Sequence, residues 1–344
     1  MASRIKVEVW RGNGFAGLAG ERWSLFAQAA LIAAITVACF TSLTTAPTEA
    51  APKEDTASEK ETDSKKKKAE GSESSKVPEV PGGDIFGITS PTDVGDKGDY
   101  GIANEFDGRL QKRQGRYRAF GNKTELGYTF ADNWWMGASF VVSSFHIRGV
   151  NDLDDLSKTD FDGLSFKLIH RLIERSATNP FALAFSAEPR WARLDGLSGL
   201  RSTAYALEFK AMTDAVVVPD KLFWAANFTW IPIRGQDPAD RSVWLDQSAA
   251  SATMALTAKI SDKLFVGAEM RYIAAYNATW FEERVGHALY LGPTLLWNIT
   301  DKIAVNTTWQ PQIAGKSIAT PDLHYDLTVF DRSQFRIKLA VALN

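Results

Sequence analysis

From about residue 100 to the C-terminus, apolar and polar residues alternate in segments of ten to fifteen residues, the period-two pattern of strands with two unlike faces. Twelve such segments are predicted, at 102–113, 116–130, 134–147, 161–174, 181–193, 202–216, 222–233, 249–260, 263–276, 287–299, 302–313 and 331–343. In the fifth, Phe181, Leu183, Phe185, Ala187, Pro189 and Trp191 share one face, opposite Ala182, Ala184, Ser186, Glu188, Arg190 and Ala192. Tight turns recur at Ala131-Asp132-Asn133, Pro219-Asp220-Lys221, Ser261-Asp262-Lys263 and Thr300-Asp301-Lys302. The last three are spaced about forty residues apart, and each interval holds two long segments, a hairpin repeat rather than a four-stranded propeller blade. Short connections after even segments alternate with longer polar ones, such as Asn151 to Asp160 and Gly235 to Asp246.

A soluble sandwich would alternate in the same way with its apolar face inward. Aromatic residues argue for the other solution: Phe130, Trp134, Trp224 and Trp297 lie beside the short turns, and Trp191, Trp230, Tyr272 and Trp309 lie toward the longer loops. Phe181 to Trp191 spans about 33 Å of strand, or roughly 25 Å of height once tilted, which is the apolar band of a membrane barrel. No stretch after residue 50 is long and apolar enough for a spanning helix. The expectation is an all-β fold: a transmembrane antiparallel up-and-down β-barrel of about twelve strands over 101–344, with both ends of the barrel facing the periplasm.

Upstream, Arg4, Lys6, Arg11 and Arg22 precede the apolar run Leu25 to Leu43, and small residues follow at Thr48 and Ala50. This order marks residues 1–50 as a secretory signal segment, with cleavage expected after Ala50 and an uncleaved anchor as the alternative. Residues 51–80 form a charged linker, too poor in apolar residues to fold, with the run Lys65 to Lys68 at its centre. Peptidoglycan or an acidic polymer is a conceivable contact for this tail. Residues 81–100 mix turn formers with a few apolar residues and read as a lead-in segment that docks inside or beneath the barrel.

The closing segment Gln334 to Asn344 resembles the C-terminal strand by which bacterial outer-membrane proteins are recognised for insertion, with Phe335, Ile337, Leu339, Val341 and Leu343 facing outward. It departs from that pattern in ending on Asn344 rather than an aromatic residue. The stretch from Asp84 to Gly98 resembles the start of the barrel in poorly characterised, porin-like alphaproteobacterial outer-membrane proteins. These resemblances imply the outer membrane of a Gram-negative bacterium as location, with outer-membrane lipid and the barrel-insertion machinery as partners.

Formal net charge is −2 and one cysteine is present, so neither a nucleic-acid partner nor a disulfide framework is indicated. Chemistry is expected on the inward face. Arg109, Lys123, Lys167, Arg171, Arg190, Lys210, Lys259, Arg271, Arg336 and Lys338 oppose Glu105, Asp107, Glu125, Glu188, Glu208 and Glu269, a mild basic excess. The pairs Lys123/Glu125, Glu188/Arg190, Glu208/Lys210 and Glu269/Arg271 repeat at spacing two. They read either as a network satisfying buried charge or as the wall of a water-filled lumen that favours small anionic solutes. The first reading gives a closed structural or interaction barrel with its activity in the loops or tail, the second a pore or substrate-selective channel, which is the expectation taken here. The histidines His146, His170, His287 and His324 have no nucleophile signature beside them, so an outer-membrane lipase-type enzyme is the weaker alternative. No cofactor is expected. Asp152, Asp154 and Asp155 offer at most weak calcium ligation in a solvated loop, so no metal site is assigned.

Overall fold

A computed structural model describes residues 84–176 and 179–343. The expected signal segment, the charged linker and the first residues of the lead-in lie outside the described residues. Twelve strands form: β1 (Tyr100–Leu110), β2 (Arg116–Ala131), β3 (Trp134–Arg148), β4 (Leu156–Ile173), β5 (Phe181–Leu194), β6 (Arg201–Val218), β7 (Leu222–Gln236), β8 (Trp244–Ser261), β9 (Leu264–Tyr276), β10 (Arg284–Asn298), β11 (Ile303–Ser317) and β12 (Ser333–Ala342). Each pairs antiparallel with its neighbours in sequence, and β12 closes onto β1 from Gly101↔Ala342 to Leu110↔Ser333. The result is a closed antiparallel barrel, whose closure leaves no unpaired strand edge.

The turn chemistry explains why the hairpins are tight at one end. Asn133 (φ 63°) and Asp220 (φ 58°) adopt the left-handed backbone conformation that short hairpin turns need and that Asn and Asp tolerate better than other side chains. The opposite end carries longer connections, the longest between β11 and β12. Several strands run past their predicted limits: β4 begins at Leu156 rather than 161, β7 reaches Gln236, and β8 begins at Trp244 rather than 249. Those extensions are polar, and they pair in register as His146↔Ser157 and Arg234↔Asp246. Beyond an apolar band the ladder needs no greasy face, so hydropathy understates its length.

Outward positions stay exposed and apolar, including Phe181, Phe185, Phe209, Phe228, Leu256, Trp297 and Trp309. Such a continuous apolar exterior has no place in water and fits lipid. The buried residues lie inside the barrel instead. Near the short turns, Val216, Phe223, Ala225, Ala255, Phe265 and Leu296 form one cluster. At the long-loop end, Tyr117, Phe145 and Ile147 form a second and Ile273, Val285 and Tyr290 a third.

Candidate functional site in the barrel lumen

Alternation turns every second side chain of a strand into the lumen, and on β1, β2, β4, β5, β6 and β12 those positions at mid-height are charged. Lys338, Glu105 and Lys123 stand directly opposite one another across β12, β1 and β2. Lys123 contacts Glu125 and Glu188, each at 3.0 Å, and Lys167 contacts Glu125 at 2.9 Å and Glu188 at 3.5 Å. Arg190 bridges Glu188 (3.0 Å) and Glu208 (2.7 Å), and Lys210 contacts Glu208 at 3.0 Å. On the other flank Arg336 holds Asp107 at 2.8 Å and Glu105 at 3.3 Å. The belt is therefore two runs of alternating charge, from Lys123 to Lys210 and from Asp107 to Lys338, which meet side by side at Glu105↔Lys123. In each run every ion has a counter-ion, the condition for carrying charge in a poorly hydrated interior. Beside it, Lys123, Asp162, Ser165, Glu188 and Arg190 border a cavity of about 20 Å³, room for a single water.

Three of the four same-strand pairs expected at spacing two form ion pairs, Lys123/Glu125, Glu188/Arg190 and Glu208/Lys210. Glu269 turns elsewhere, to the lead-in and to Gln310 Nε2 (2.8 Å), while Arg271 donates to the Gln334 side chain at 3.2 Å. Lys259 sits at the end of β8 and pairs with Asp262 of the adjoining turn. Two inward carboxylates escaped the sequence reading. Asp162 reaches the lumen side because the register shifts by one between Val141 and Val142, a bulge that reverses the parity of β4. Asp214 continues the even-numbered inward series of Glu208 and Lys210 and was legible from parity alone.

The inner closure is the lead-in itself. Residues 84–99 run inside the barrel near the short turns and touch strands all around it. Asp84 meets Lys338 (3.0 Å) and Asn306, Asp93 meets Arg171 (3.3 Å), and the Val94 carbonyl accepts from Thr129. Ile85 and Phe86 are fully buried in the apolar cluster of Phe223, Phe265 and Leu296. Gly87 passes so close to the wall that a Cβ there would lie 2.6 Å from a Glu269 carboxylate oxygen and 2.8 Å from Thr308. Glu269 accepts from the backbone N–H of Ile88 and from both the N–H and the hydroxyl of Thr89. Three residues on, Thr92 repeats the pairing, its N–H and hydroxyl donating to Asp214 at 2.6 and 2.8 Å. The Asn227 carboxamide, oriented to satisfy both partners, accepts from the Ser90 N–H (2.8 Å) and donates to the Ser90 carbonyl (3.0 Å).

Two loops fold in at the opposite end. In the β11–β12 loop, Val329 and Phe330 pack on Ile273, Val285 and Tyr290, and Lys112 contacts Asp331 at 3.1 Å while donating to both loop carbonyls. In the β5–β6 loop, Leu197 packs on the cluster of Tyr117 and Phe145, and Tyr117 donates to its carbonyl at 2.9 Å. Arg109 donates to the Gly196 carbonyl and lies 6.0 Å from the Tyr117 ring; its Nε and Nη1 are buried without a hydrogen-bond partner among the described residues. On the β5–β7 wall at this end, Ala192, Ala204 and Ala206 pack with Ile233 and Ile231 in a further apolar cluster. The only sequence signal for the caps was an apolar pair, Val329-Phe330, inside a long polar connection.

Of the histidines, His170 stacks on Trp134 at 4.0 Å, and His146 lies between two serine hydroxyls at the rim, Nδ1 3.0 Å from Ser157 and Nε2 3.5 Å from Ser144. In the β3–β4 loop, Asp155 accepts from the Gly149 N–H. Among the described residues no group of three or more metal-ligating side chains is assembled.

Against solved structures, the chain is similar to an outer-membrane channel of Pseudomonas putida F1, at 14% identity over 77% of this chain and 100% of that chain, with a TM-score of 0.51. That likeness is one of fold. The β domain of the Bordetella autotransporter BrkA (11% identity, 72% and 100% covered, TM-score 0.45) and the NanC porin (9%, 71% and 99%, TM-score 0.41) are more remote and carry no weight. No curated protein matches. The profile of a family of unknown function (DUF6662) matches residues 78–343, and the chain belongs to that family.

Proposed function

We propose that this member of the DUF6662 family is a bacterial outer-membrane channel for small solutes, drawn here with its inner end closed. The observation that carries this reading is the charged belt. Filling a lumen with apolar side chains is as stable as filling it with ion pairs, or more so, because buried charges lose their hydration. A purely structural barrel gains nothing from Lys123, Glu125, Lys167, Glu188, Arg190, Glu208 and Lys210 at its centre. A lumen that fills with water during transport does, since charged walls then lower the barrier for an ion and select its sign.

The sign favours anions. Along the lumen wall Arg109, Lys123, Lys167, Arg171, Arg190, Lys210, Arg271, Arg336 and Lys338 stand against Glu105, Asp107, Glu125, Asp162, Glu188, Glu208, Asp214 and Glu269, an excess of one cation. Arg171 and Lys338 are balanced by Asp93 and Asp84 of the lead-in rather than by the wall alone. The second reading, a permanently closed barrel, is favoured by the lead-in and the two loops that pack inside the lumen.

Single-channel recording of the refolded protein in a planar bilayer under a salt gradient separates the two. Stable steps with an anion-selective reversal potential are expected, and Arg190→Glu together with Arg271→Glu should move that potential toward cations. A correctly folded barrel that never conducts would sink the channel reading.

A further inference from the structure

We infer that residues 84–99 are a displaceable plug, a self-ligand that holds the inner end of the lumen shut through Glu269 and Asp214. The inference rests on the channel reading and gives that site its regulation. Its basis is the kind of contact the segment makes. Of the four donors on Glu269, three belong to the lead-in: Ile88 N–H, Thr89 N–H and Thr89 Oγ1. Asp214 receives two of its donors from Thr92 and one from Arg175. Water replaces such donors when the segment leaves, so this polar part of the exchange is the part that water can compensate. The apolar side chains that the segment buries are Ile85, Phe86 and Val94.

Charge makes the same point. Departure of the segment removes Asp84 from Lys338 and Asp93 from Arg171, leaving those cations to Glu105 and Glu174, and it strips the lead-in donors from Glu269 and Asp214. The plug thus closes the passage and also covers wall charges of both signs, Lys338 and Arg171 as well as Glu269 and Asp214. Two threonines spaced by three, each using its N–H and hydroxyl on a single carboxylate, form a latch that can release without dismantling the barrel. Displacement then depends on the latch: weakening it should shift the population toward the open state.

Two measurements on the full-length protein test this. Hydrogen exchange followed by mass spectrometry should find the 84–99 amides exchanging well before those of β9 and β6, and Glu269→Gln with Asp214→Asn should speed that exchange and raise open probability by on the order of tenfold. Thr89→Val with Thr92→Val loosens the latch from the plug side and leaves the wall intact, should the carboxylate variants fail to fold. If the segment exchanges as slowly as the strands in every variant, the plug is fixed and the inference falls, whether or not the barrel conducts. Fast exchange with open probability equal in all variants would leave a channel and remove the gate. Fast exchange with no conductance in any variant would overturn the channel reading, and the gate with it.

Discussion

The two ends of the lumen are closed by different chemistry. At the inner end a segment of sixteen residues is held mainly by N–H and hydroxyl donors on two wall carboxylates, with Ile85 and Phe86 as its apolar anchor. At the outer end Val329, Phe330 and Leu197 are packed into clusters that include Tyr290, Ile273, Phe145 and Tyr117. A hydrogen bond exchanged for one to water changes by about 1 kcal/mol net, or about 1.5–3 where the acceptor is a carboxylate, and water can replace the contact. Exposing a buried Phe or Leu forfeits about 1.5–3 kcal/mol of transfer free energy, because water cannot replace the contact. Both closures carry an apolar anchor, Ile85 and Phe86 at one end and Val329 and Phe330 at the other. The inner one differs in the larger share of its contacts that water can replace, with the charge belt shielded between them.

The largest effect expected from breaking this contrast is at Phe330, which is fully buried at the outer cap. Phe330→Ala should cost about 3–5 kcal/mol through lost burial and a residual cavity, measured by guanidinium unfolding in micelles. A loss below about 1 kcal/mol would mean the loop contributes no more than the plug does. Next comes Gly87→Ala, where the new methyl group must displace Glu269 or Thr308. About 1–3 kcal/mol of local docking energy should go, visible as faster exchange of the Ile88 and Thr89 amides with the global unfolding midpoint nearly unchanged. A midpoint that falls in step with the exchange would make the plug part of the barrel core. The smallest effect belongs to Arg234, whose ion pair with Asp246 (3.0 Å) lies outside both closures and is more than half exposed. Arg234→Ala should stay within about 0.5 kcal/mol of the parent, which sets the baseline for both ends.

Much of the molecule could be read along the chain. The period-two pattern gave twelve strands close to their observed limits because pleating is a local property of the backbone: Phe181 and Glu188 fall on opposite faces whatever surrounds them. The same parity turned Lys123, Glu188, Arg190 and Glu208 inward, and the lead-in was expected inside or beneath the barrel. Asp162 was missed because a bulge beside Gly163 shifts the register there, and a lone glycine in a strand does not say on which side the parity changes. Phe145, Phe223 and Phe265 were not recognised as lumen residues, since an inward aromatic has no meaning until something is known to lie against it.

What the sequence determined by itself was a chain of amphipathic strands with a charged inner face and a greasy outer one, since both follow from alternation within ten to fifteen neighbouring residues. Only tertiary structure decided which charges meet and what closes the lumen. Thr89 finds Glu269 across a separation of 180 residues, and Lys338 finds Asp84 across 254. Those contacts exist because β12 closes onto β1, a geometric condition on the whole barrel that leaves no trace in any local stretch of chain.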